Sequence, residues 1–64
     1  MYAHTLRPVL MSAEDGRGGR IFHTAPTGTL VHVRAIKDDG RCVLRLTDRP
    51  QFQQNSYVSQ VVPA

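Results

Sequence analysis

The chain has 64 residues, 41% of them hydrophobic and 6% aromatic, and a formal charge of +3. A single domain covering residues 1–64 is the expectation, because so short a chain buries only about 60% of its unfolded surface, and a core that thin invites self-association or another staple. The lone Cys42 excludes an internal disulfide and points to a reducing compartment.

The start, Met1-Tyr2-Ala3-His4-Thr5-Leu6-Arg7-Pro8, has no apolar run behind a basic region, and no stretch approaches the roughly 20 apolar residues that span a bilayer. A soluble cytoplasmic protein is expected, and the positive charge leans mildly toward anionic partners. Five strand-like runs follow in order. Leu6 to Met11 is apolar apart from Arg7 and Pro8, and Pro8 assigns it to a sheet edge or a strand start. Glu14 to Arg20 is a Gly-rich loop around Asp15-Gly16. Ile21-Phe22-His23 is a short strand closed by the turn Ala25-Pro26-Thr27-Gly28. Thr29 to Lys37 and Arg41 to Thr47 flank Asp38-Asp39-Gly40, a hairpin signal because Gly accepts positive φ without a Cβ clash. Asp48 to Ser56 is polar, with room for one short turn, and Tyr57 to Val62 is the last strand, stopped by Pro63.

Strand alternation assigns Val31, Val33 and Ala35 to one face of the central hairpin, with Cys42, Leu44 and Leu46 opposite them. The other face carries His32, Arg34 and Ile36 with Val43, Arg45 and Thr47. A two-residue turn at Asp39-Gly40 pairs Arg34 directly with Arg45, and an even loop keeps the faces unmixed. Two like charges so close on a solvent face mark an anion site, or else splay into water or pair with Asp38, Asp48 or Glu14.

Five short strands in so few residues predict an all-β fold, a small five-stranded barrel or two packed antiparallel sheets built as a meander of hairpins. The order of a Gly-rich first loop, a tight hairpin, a one-turn segment and a final strand resembles the SH3-like barrel. Phe52-Gln53-Gln54-Asn55-Ser56-Tyr57-Val58, followed by Val61, looks like the end of an SH3 domain, where Pro-Ser-Asn-Tyr-Val precedes the last strand. The resemblance implies that Tyr57 sits where that family builds its peptide groove. The chain has no Trp, no acidic first loop and no Ala-Leu-Tyr-Asp-Tyr opening. Ser59-Gln60-Val61-Val62-Pro63 is also similar, without its Tyr, to the pore segment of the small plasmid-type dihydrofolate reductases; likeness of fold alone carries no reaction.

Among chemical motifs, Arg17-Gly18-Gly19 with Gly16 and Arg20 is a single RGG-like element, which can follow a phosphate backbone or serve only as a Gly-shaped loop. With Arg34, Arg41 and Arg45 it gives a basic surface suited to salt-sensitive binding without base reading. Phe22 and Phe52 are assigned to the core, and Tyr2 and Tyr57 to the surface. His4, His23 and His32 lack metal-site spacing, although His23 and His32 fall on neighbouring runs and could meet. The turn aspartates have local hydrogen-bonding tasks, and Cys42 faces inward as a small apolar group. No helix follows Gly16 to Gly19 to make a phosphate loop. The expectation is a non-enzyme without cofactor or metal. It binds nucleic acid, DNA or RNA, through Arg17, Arg20, Arg34, Arg41, Arg45 and Tyr57. The alternative is a protein-protein accessory module, binding by a strand edge or by the face around Ile36, Val43 and Tyr57. A homodimer fits either.

Overall fold

The computed structural model describes residues 1–64 as seven strands and one short helix. The strands are β1 (Tyr2–Thr5), β2 (Val9–Glu14), β3 (Arg20–Ala25), β4 (Leu30–Arg34), β5 (Arg41–Leu46), β6 (Gln53–Tyr57) and β7 (Val61–Pro63), with a one-turn 3-10 helix at Val58–Gln60 before β7. They form one antiparallel sheet in the order β3-β2-β6-β5-β4-β1-β7. The fold is all-β as expected, but it has seven strands rather than five. Its sheet is open, with β3 and β7 as edges, rather than closed into a barrel or divided in two. The 3-10 helix is far too short to cross a membrane.

One inner face supplies the core. Twelve buried apolar residues form a single cluster, led by Met11, Val31, Leu44 and Leu46. One sheet can bury a continuous cluster only by curling over itself, so the opposite face is left convex and wet. Phe52 is in this core at 7% exposure, whereas Phe22 is not: it stands 61% exposed on β3. The cause is parity. Phe22 lies opposite Ser12 on the outer face, between the inward-directed Ile21 and His23.

Two runs change shape for physical reasons. Leu6 to Pro8 is a bend rather than part of a strand, and β2 begins just after Pro8. Tyr57 to Val62 is broken by the 3-10 turn, because Val58 N–H donates to the Gly40 carbonyl and Leu6 N–H to that of Gln60. Thr5, the one buried polar residue, fixes the end of β1. Its hydroxyl donates to the Pro26 carbonyl at 3.0 Å and accepts from Thr29 N–H at 3.1 Å. The turn it holds passes through Gly28 at φ +85°.

The central hairpin keeps its two faces but shifts its partners. Its turn is closed by Gly40 N–H to the Lys37 carbonyl and Lys37 N–H to that of Arg41, which leaves a three-residue loop with Gly40 at φ +89°. An odd loop should invert the faces. Ala35, at φ +52°, acts as a bulge that restores parity and is itself thrown out to solvent. Val33 therefore pairs with Leu44, His32 with Arg45, and Arg34 with Val43. Arg34 and Arg45 are diagonal neighbours, not a direct pair.

Candidate functional site

Cross-strand partners share a face, so the register defines the outer surface. A row runs Tyr2, His32, Arg45, Gln53, Ser12, Phe22 across six strands. A second runs Arg34, Val43, Asn55, and a third joins Arg41 to Tyr57. Arg20, two residues from Phe22, is on the same face, and its Nη2 donates to Ser12 Oγ at 2.7 Å. The curl thus gathers Arg20, Arg34, Arg41, Arg45 and Tyr57 on one convex surface.

Three depressions adjoin around Val43 on this surface. The largest, about 390 Å³, lies among Lys37, Arg41, Asn55 and Tyr57. A second of about 220 Å³ joins Ser12 and Arg20 to Gln53, and a third of about 150 Å³ reaches Arg34. Together they make a shallow trough of mixed polar and apolar lining, with basic residues among its walls. Lys37 belongs to it, although its place in the hairpin turn gave no sign of that.

The charges are mostly unpaired. Of eight Lys and Arg, only Arg41 and Arg49 have a carboxylate within 4.0 Å: Arg41 Nε meets Asp39 Oδ2 at 2.6 Å, and Arg49 meets Asp48. Exposed pairs of this kind are worth less than about 1 kcal/mol, but the Asp39 pair offsets Arg41's charge locally. Arg45 is different. Its side chain is half-buried at the centre of the row, and its Nε is shielded from water with no hydrogen-bond partner. A buried donor left unmade costs roughly 1–3 kcal/mol.

His32, across from Arg45, packs against Tyr2 with ring centroids 5.0 Å apart and planes tilted by 45°. Its pKa is held below the usual 6.5, first by loss of water around the ring and then by the amino terminus, Arg34 and Arg45. Neutral imidazole is therefore the resting form at pH 7. His23 and His32 do not meet. They lie on strands that are not neighbours, and His23 faces Phe52 and Arg49 on the inner side.

Arg17 stands apart. It occupies the tip of the β2–β3 loop between Gly16 and Gly18, at φ +81° and +83°, and its N–H donates to Asp15 Oδ1. Gly19 N–H donates to the same oxygen, and a Cβ there would meet Asp15 Oδ2 at 2.5 Å. The glycines of the RGG-like element thus have structural reasons for their positions. Tyr2 and Tyr57 are at the surface, 59% and 53% exposed. Cys42 is buried, and desolvation raises its thiol pKa. Comparison with protein-family models, with curated proteins and with solved structures gives no match.

Proposed function

We propose that the chain is a non-catalytic module that binds nucleic acid along the outer trough, with Arg20, Arg34, Arg41 and Arg45 meeting phosphates and Tyr57 flanking the path. The observation that carries this reading is the buried, partnerless Nε of Arg45 beside Arg20 and Arg34, which have no carboxylate partner; Arg41, the fourth, is paired with Asp39. With its Nε closed to solvent and unpaired, Arg45 has its terminal guanidinium nitrogens left to meet an anionic acceptor brought by a ligand. The adjoining depressions carry Ser, Asn and Gln residues among their cations, beside Val43 and Tyr57, which suits a nucleic-acid backbone running across strands. Arg17, on its glycine-hinged tip, adds long-range attraction. The strand order β6-β5-β4-β1-β7 and the 3-10 turn before β7 support the SH3-like reading of that half of the sheet.

Titration with labelled single- and double-stranded DNA and RNA at low and near-physiological salt tests the proposal. Micromolar or tighter binding that weakens with salt supports it; no binding even at low salt removes it.

A protein partner is the second reading, and the free edge of β3 favours it. Asp15 N–H bonds to the Gly19 carbonyl, and alternation from that pair turns the backbone groups of Arg20, Phe22 and Thr24 away from β2. An edge strand with exposed Ile21 and Phe22 is a template for strand addition, by another protein or a second copy.

A further inference from the structure

We infer that Tyr2 and His32 are the base-stacking end of a nucleotide seat whose phosphate is held by Arg45 and Arg34, so that the ligand of this face is a single strand. The inference rests on the nucleic-acid reading and narrows it. Tyr2 is the one aromatic of the outer face already paired with another flat ring, that of His32, and it keeps more than half of its surface open to solvent. The row Tyr2, His32, Arg45 is fixed by two successive ladders. Adjacent strands lie about 4.8 Å apart, so the row spans about two such steps, within the reach of one nucleotide from the far edge of its base to its phosphate.

The two ends of the row have complementary chemistry. At one end is an exposed aromatic face, and stacking on such a face tolerates any base. At the other, the Nε of Arg45 is shielded and without a hydrogen-bond partner, its terminal guanidinium nitrogens remain to meet a phosphate, and Arg34 lies diagonally beside it without a carboxylate. The groups facing the His32 ring are Tyr2 and His4 from β1, the amino terminus, Arg34 on its own strand and Arg45 from β5. None of these is acidic, in keeping with a neutral ring, and a phosphate arriving at Arg45 would add an anion on its side of the row. Beyond Arg45 the row continues to Gln53 and Ser12, which line the trough where the next nucleotides would lie. A duplex hides its base faces within its own stack and cannot use this platform.

The test is fluorescence anisotropy at one low salt concentration with short labelled single strands of DNA and of RNA and with the matching duplexes. It compares the wild type with Tyr2→Leu, Tyr2→Phe and the Arg34→Ala/Arg45→Ala double variant. Single strands should bind more tightly than duplexes. Tyr2→Leu should weaken single-strand binding roughly five- to hundredfold, the worth of one stacked base, and leave duplex binding unchanged. Tyr2→Phe should retain the affinity. In the wild type, the Tyr2 and His32 ring protons should move upfield on adding a single strand, a readout that no loss of folding in a variant can mimic. Unchanged single-strand affinity in Tyr2→Leu, with loss in the double arginine variant, would overturn the platform and leave the basic face standing. Equal affinity of the wild type for duplex would overturn the single-strand assignment. No binding of either form by the wild type would overturn both readings.

Discussion

Arg45 stands directly across from His32 on the neighbouring strand, and its Nε is enclosed without a partner while six of the eight Lys and Arg lack any carboxylate neighbour. The fold tolerates this donor rather than using it. Arg45→Met keeps the aliphatic stem that packs on the sheet and deletes the orphan donor. Its unfolding midpoint in urea is expected to equal or exceed the wild type's, by up to about 1 kcal/mol in stability, while nucleic-acid affinity falls. A clear loss of stability would show that the guanidinium serves the fold.

Thr5 makes the opposite prediction. Its hydroxyl both donates to the Pro26 carbonyl and accepts from Thr29 N–H in a buried position. Thr5→Val preserves shape but removes the hydroxyl from Pro26 carbonyl and Thr29 N–H, which keep their bond to each other, and should cost about 0.5–1.5 kcal/mol, read from equilibrium urea unfolding. Thr5→Ser, which keeps the hydroxyl, should recover most of the loss.

His32 gives a pH dependence with a definite sign. Its folded pKa lies below the ordinary 6.5, first through lost hydration and then through the amino terminus, Arg34 and Arg45. Between the two values the unfolded chain binds more protons, so stability falls as pH drops below about 6.5 and is fully restored above it. The acid-dependent loss should be smaller in His32→Gln, measured by urea unfolding at pH 8 and pH 5. A phosphate at Arg45 should move the wild-type His32 titration upward, seen by NMR of its ring protons with and without oligonucleotide.

Cys42 should be inert in the native state. Its thiol is buried on β5 and its pKa is raised above the ordinary 9.0 by desolvation. A chromogenic disulfide reagent at pH 8 should label it slowly in buffer and at the rate of a free thiol in urea. Rapid native labelling would mean that β5 opens readily.

The hairpin faces were legible because Val31, Val33, Leu44 and Leu46 alternate with polar residues in a run long enough to fix parity. Its register was not, since it depends on the odd loop and on the Ala35 bulge, and an alanine at positive φ leaves no mark in composition. β1 and β6 were hidden for different reasons. The inner residues of β1 are Ala3 and Thr5, small or polar despite being buried. β6 reads Gln-Gln-Asn-Ser-Tyr and buries none of these residues, so its strand form comes from backbone bonds to β5 on one side and a single bridge to β2 on the other. Size alone marks Phe22 for the core, and its parity in β3 decides otherwise. The basic residues could be identified individually. That Arg20 shares a face with Arg34 and Arg45 depends on the non-local β2–β6 contact, which no local pattern encodes, and Lys37 joins them through the odd hairpin loop and its bulge.

Whether the arginine face meets phosphates is tested most directly by the salt dependence of affinity for a single strand, in wild type and in Arg34→Ala/Arg45→Ala. Each phosphate neutralised on a single strand contributes about 0.7 to the slope of log K against log salt. The double variant should bind more weakly at every salt concentration, with a slope shallower by about 1.4, the share of two phosphates. An unchanged slope and affinity would contradict a phosphate-binding role for these arginines.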